Sequence, residues 1–196
     1  LKFGSSGALR SKIESGYPCH LFISASSIHT QSLVENGYLK SCAVLGLYRV
    51  VLAHLLRLRI TEESVFYLLK NPQYQLAMST TGLNPAANEL KILERITKIC
   101  GLKSGELEKR TRLITGGREA PNAPTGRNQY GWIMETQSVD LLLTYHTHAI
   151  EALADNPNLS FIHLPNAARA DGCYGIALSS LASPRLGRFY DWLLSS

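Results

Sequence analysis

Phe3-Gly4-Ser5-Ser6-Gly7-Ala8-Leu9 runs into Ile13-Glu14-Ser15-Gly16-Tyr17-Pro18 and then into Leu21-Phe22-Ile23-Ser24-Ala25. Leu9 and Ile13 stand four apart, on one face of a helix over residues 8–14. Leu21-Phe22-Ile23 is a short apolar run and reads as a buried strand. Ser27 to Glu35 reads as the next helix, with Gly37 just past its end as a stop signal. The first helix therefore starts on two hydroxyls, Ser5 and Ser6, flanked by glycines. Unpaired N–H groups and the helix dipole point outward there, so this start is a candidate anion site.

The same alternation of short apolar runs with amphipathic stretches continues along the chain, the pattern of an α/β fold. Val50–Leu58, Leu76–Ser79, Val139–Tyr145, Leu159–Leu164 and Tyr174–Leu178 read as strands. Thr61 opens a helix with two acids in its first turn, where the dipole favours them. Leu90, Leu93, Ile96 and Ile99 lie near helical period, and Gly101 ends that helix. Asn128–Thr136 and Arg185–Leu194 read as further helices. Residues 116–127, GGREAPNAPTGR, form the one long irregular segment.

Two other helix starts share the character of the first. Asn84-Pro85-Ala86-Ala87 combines a polar cap, a proline at the first helical position and small residues that let an anion approach the backbone. Thr125-Gly126-Arg127-Asn128 adds a guanidinium. Each alone is ordinary capping; three in one chain point to an anion, provided that the fold brings them together.

Composition sets the outer limits. The chain has 196 residues, 45% apolar and 18% charged, with a mean hydropathy of -0.03. That supports one large domain or two small lobes and excludes a disordered chain. The most apolar stretch, Ala43–Ile60, is broken by Arg49, His54, Arg57 and Arg59, so it does not read as a membrane span. A net charge of +5 and a pI near 9.1 favour an anionic ligand. The tightest basic groups, Arg57/Arg59 and Lys109/Arg110/Arg112, are too short to mark a nucleic-acid face, and no nucleic-acid partner is expected.

Enzyme signatures are absent: no G-x-S-x-G, phosphate-binding P-loop, G-x-G-x-x-G or H-E-x-x-H occurs. No cofactor is expected. His146 and His148 form an H-x-H read at a strand end, both facing one way, but no third metal ligand lies near in sequence. Cys19 and His20 are adjacent and so point to opposite faces of an extended chain, which excludes a nucleophile pair. Cys19, Cys42, Cys100 and Cys173 are too widely spaced for a zinc or redox motif and read as buried thiols, with one bridge open to them in an oxidising compartment.

The opening motif, followed by Leu33–Gly37, Val50-Val51-Leu52, Asn84-Pro85-Ala86, Val139–Tyr145, Tyr174–Leu178 and Phe189–Leu194, resembles the molybdate-binding periplasmic proteins over nearly the whole chain. These are solute receptors of molybdate ABC importers. The resemblance implies a two-lobed type II periplasmic-binding-protein fold with a ligand cleft between lobes. It implies lobe 1 over residues 1–54 and 160–196 and lobe 2 over 55–159, with the family's first strand–helix unit missing here. It implies a tetrahedral oxyanion, molybdate or tungstate, held by neutral donors; motif by motif these fall at Ser6, Ala86, Arg127 and Tyr145, with Ser5 and Asn128 beside them. It also implies a membrane permease as partner, a periplasmic (or extracellular, membrane-anchored) location and no catalysis. His20 and Arg127 depart from the family pattern, and Arg127 opens a direct guanidinium contact to the anion. A ligand-sensing effector module of a regulator or fusion protein, and an enzyme using His146 or His163 as acid/base, are the alternatives.

Overall fold

The structure, a computed structural model, describes residues 1–4, 6–79, 87–115 and 122–195. The chain forms two compact units, Leu1–Tyr48 with Gly172–Ser196, and Arg49–Asp171. The architecture is mixed α/β, as the alternating pattern requires.

The first unit is built from α1 (Ser6–Glu14), β1 (Leu21–Ser24), α2 (Ser27–Glu35), β2 (Ser41–Tyr48), and, from the end of the chain, β8 (Gly172–Leu178) and α8 (Pro184–Ser195). Its three-stranded sheet has the order β1-β8-β2, with both pairings antiparallel. Ile13, Phe22, Leu33, Leu39 and Ala177 form its core. Helix α2 stops as its sequence demands. Gly37 adopts φ +77, and the Tyr38 and Gly37 N–H groups return to the carbonyls of Leu33 and Val34. Helix α2 also lies tight on β8: a Cβ added at Gly175 would stand 2.3 Å from Thr30 Oγ1 and 2.7 Å from Ser27 Cα.

The second unit carries β3 (Val50–Leu55), a single 3-10 turn (Leu56–Leu58), α3 (Val65–Lys70), β4 (Leu76–Ser79), α4 (Ala87–Ile99), α5 (Glu106–Arg110), β5 (Arg112–Thr115), α6 (Gln129–Thr136), β6 (Leu141–Tyr145), α7 (His146–Asp155) and β7 (Leu159–His163). Its sheet has the order β5-β4-β6-β3-β7. Strands β5, β4 and β6 are parallel; β3 runs antiparallel to both β6 and β7.

The strand period of two sorts side chains to two faces. Val50, Leu52, Leu76, Met78, Leu141 and Leu143 pack with Val65, Leu69, Ile92, Leu93, Ile96 and Leu107 from α3, α4 and α5. Val51, Ala53, Ala77 and Leu142 pack on the other side with Ile133, Met134, Ala149 and Ala152 from α6 and α7. Both faces of the sheet are covered, so β6 can be the unbroken run Leu141-Leu142-Leu143, each fully buried. Burial of such a side chain contributes about 1.5–3 kcal/mol.

Parallel β4 and β6 end at the same edge of the sheet. The carboxyl-terminal edge of parallel strands is where α/β proteins hold ligands. The chain leaves that edge from β6 directly into α7, with Tyr145 as both last strand residue and helix cap.

Several elements differ from expectation. The strand expected over 50–58 stops at Leu55, where the 3-10 turn ends on Arg59 in the left-handed region. The helix expected from Thr61 begins at Val65; the Thr61 N–H and the Ser64 hydroxyl bond across the turn before it. Strand β2, helices α5 and α7, and strand β5 had no counterpart in the sequence reading.

Candidate functional site

In the first unit, two helix starts meet through a side chain. Ser6 is the first residue of α1, and its Oγ accepts a hydrogen bond from the Ala25 N–H at 3.1 Å. Ala25 lies in the turn between β1 and α2. In that turn the Ser24 hydroxyl donates to the Ser26 carbonyl at 2.8 Å and accepts from the Ser26 N–H at 3.1 Å. Ser26 caps α2 with extended backbone, but its hydroxyl makes no capping bond. Neither α1 nor α2 has an acid in its first turn, so neither dipole is neutralised locally. The sequence reading passed over Ser24 and Ser26. The signal for them was the small polar run Ser24-Ala25-Ser26-Ser27 between strand and helix. Ser5 lies outside the described residues.

In the second unit, Asn128 caps α6: its side-chain oxygen accepts from the N–H groups of Tyr130 at 2.9 Å and Gly131 at 3.1 Å. The Arg127 guanidinium donates to Glu135 at 2.5 Å and to both Asp155 oxygens at 3.1 and 3.2 Å. These two carboxylates hold Arg127 well above its ordinary pKa, and Arg127 holds Asp155 below its own. The Arg127 N–H bonds the Pro124 carbonyl at 3.1 Å. The guanidinium thus sits at the C-terminal end of α7, whereas Tyr145 heads its N-terminal end. Ten helical residues span about 15 Å, so the charged group of Arg127 is turned away from Tyr145.

Tyr145 is half-buried, paired across the sheet with Val50, and its ring lies 5.6 Å from that of His148. His148 stacks on Tyr130 at 4.4 Å. The starts of α6 and α7 are therefore joined through Tyr130, His148 and Tyr145. Burial lowers the His148 pKa, which keeps the ring neutral near pH 7. Like α1 and α2, α6 and α7 carry no acid in the first turn.

The H-x-H does not lie at a strand end. His146 and His148 are the first and third residues of α7, about 200° apart around the helix. His148 turns to Tyr130, and His146 turns to Phe161 and His163. Among the described residues, no group of three His, Cys, Asp or Glu side chains is placed to hold a metal ion.

Ala86 lies outside the described residues; α4 is described from Ala87. Glu89 stands in the first turn of α4, fully buried, with no hydrogen-bond partner for either oxygen among the described residues. Burial pushes its carboxyl above the ordinary carboxylate range. The four cysteines are half-buried free thiols, more exposed than expected; burial raises the pKa of Cys19 and Cys100. Among the described residues, no helix is long and apolar enough to cross a membrane.

Comparison with known proteins extends this picture. The family of bacterial extracellular solute-binding proteins matches residues 1–196. An uncharacterized protein of Pasteurella multocida is 25% identical over 95% of this chain and 78% of its own length. A substrate-binding domain assigned to a molybdenum ABC transporter of Clostridium difficile has a similar fold, with a TM-score of 0.66 at 16% identity over 100% of this chain and 79% of that one. Iron-bound HitA of Pseudomonas aeruginosa gives 0.65 at 14% identity over 99% and 70%. The periplasmic molybdate-binding protein of Azotobacter vinelandii gives 0.61 at 18% over 97% and 78%. At these identities the structural likeness is one of fold.

Proposed function

The chain belongs to the bacterial extracellular solute-binding proteins, and from that premise we propose that it is a non-enzymatic receptor for a tetrahedral oxyanion, molybdate or tungstate first. It delivers the ion, in the periplasm, to the membrane permease of an ABC importer. The observation that carries the reading is the set of helix starts left without first-turn acids and furnished with neutral donors. A dianion is strongly hydrated, and its site must replace water on every oxygen. Hydrogen bonds to charged groups contribute about 1.5–3 kcal/mol each.

The donors in this reading are the Ser6 and Tyr145 hydroxyls and the N–H groups at the start of α4, beside Ala86. Ser5 stands next to Ser6 as a further hydroxyl. Arg127 and Asn128 serve by fastening and capping α6, since the Arg127 guanidinium is committed to Glu135 and Asp155. Of the similar folds, one is assigned to a molybdenum transporter, one is a molybdate-binding protein and one holds iron, so the test must separate oxyanion from cation.

Thermal denaturation with molybdate, tungstate, sulfate or ferric citrate does so. A ligand at 100 times its Kd adds about 2.7 kcal/mol, which raises the midpoint by roughly 5–10 °C at this size. Molybdate and tungstate are expected to give that shift, and Tyr145→Phe and Ser6→Ala each to weaken binding at least tenfold. A shift with ferric iron and none with any oxyanion would sink the proposal.

A further inference from the structure

The ends of β3, β6 and β7 gather a second set of side chains. Val50 pairs with Tyr145 and Val51 with His163, so Arg49, His146 and His163 lie at one end of three adjacent strands. The His146 N–H donates to the Arg49 carbonyl at 2.9 Å. The His146 and His163 rings stand 5.2 Å apart, and Phe161 packs edge-on against both, at 5.0 and 5.8 Å. The connection from β7 to β8 adds Arg169 and Asp171. Asp171 is gripped by Arg169, which also donates to Asn166 at 2.8 Å, while Arg49 reaches Asp171 only at 3.8 Å.

Two guanidiniums thus share one carboxylate, at the strand end that also carries the two imidazoles. Arg49 and His163 are exposed, and His146, Arg169 and Phe161 half-buried. A metal cation is disfavoured by the two arginines. The arrangement suits an oxyanion that neutralises Arg49 and accepts hydrogen bonds from the imidazoles.

We propose that Arg49, His146, His163 and Arg169 form an anion site distinct from the Tyr145 site, selective for a small doubly charged oxyanion of the sulfate type. The facing charged groups are Arg49 just before β3, His146 on α7, His163 on β7, and Arg169 and Asp171 on the following connection. Desolvation first, then His146, Arg49 and Arg169, hold the His163 pKa below its ordinary value. His163 is therefore neutral at pH 7 without ligand. A bound dianion favours the charged ring, so binding takes up protons and tightens as pH falls, by up to tenfold per pH unit for each proton taken up.

Titration of the full chain with sodium sulfate, which stays doubly charged at both pH values, followed by imidazole NMR at pH 5.5 and 7.5, tests this. Saturable shifts of the His146 and His163 resonances are expected, with Kd at least tenfold tighter at pH 5.5. Arg49→Gln and His163→Gln should each weaken sulfate at least fivefold with unchanged circular dichroism; Tyr145→Phe should leave it unaltered. Absence of shifts at both pH values overturns the proposal. So does loss of sulfate binding in Tyr145→Phe alone, which would move the ion to the site already described. Failure of molybdate binding leaves this result standing on its own.

Discussion

Glu89 is a carboxylic acid sealed at the first turn of α4 beside the core residues Ile92 and Leu93. Its folded pKa is raised above the unfolded value by burial. Below the unfolded value both states hold the proton and there is no penalty. As pH rises through that value the unfolded chain ionises while the folded chain does not, so stability falls until the folded pKa is passed. Glu89→Gln is therefore expected to raise the thermal midpoint at pH 7.5, with the gain shrinking toward zero near pH 4; an equal effect at both pH values would refute this. Single residues were also where the sequence misled. His146 and His148 follow an apolar run, and Tyr145 gives no capping signal, so nothing local announced that a helix starts there. Arg127 reads as an open guanidinium because its partner Asp155 is 28 residues away. Gly37, by contrast, announced its left-handed turn through residue type alone.

At the scale of elements, the contact of α2 with β8 shows how tightly a short helix must sit to serve a three-stranded sheet. The Cβ of Gly175→Ala would collide with the Thr30 hydroxyl and with the backbone of Ser27. Ser27 cannot rotate away as a side chain tip could. Overpacking of this kind costs about 1–3 kcal/mol, and the midpoint should drop by roughly 2–12 °C; calorimetry of the variant checks it. Helix α2 was legible to the residue, because Ser27 and Gly37 bracket it, and β1 and β6 were legible as apolar runs. Strand β2 was not. Its residues are mostly half-exposed and run into Val50–Leu55 with only Arg49 between, so one apolar stretch concealed two strands of two different sheets. Helices α5 and α7 and strand β5 are too short, or too weakly capped, for period to reveal them. The start of α1 was legible as a cluster of hydroxyls, but the bond from Ala25 to Ser6 depends on residues 19 apart.

For the whole molecule, the alternating pattern was enough to read an α/β chain, and the family match agrees. Each hydrophobic cluster is confined to one unit: two lie wholly within Arg49–Asp171, and the third joins Ile13–Leu39 to Ala177. The isolated segment 49–171 is accordingly expected to unfold cooperatively on heating. Residues 1–48 alone should show no such transition, since β1 and β2 pair with β8 and not with each other; circular dichroism of the two fragments would decide. The central strand of the smaller sheet is thus supplied from the far side of the inserted unit. On a ribosome moving at about 5–20 residues per second, the leading segment waits roughly 6–25 s for its missing partner while the inserted unit finishes first. A nascent chain of this design leaves Phe22 and Leu33 without their lasting cover through that interval, which makes its opening segment the natural client of a holding chaperone.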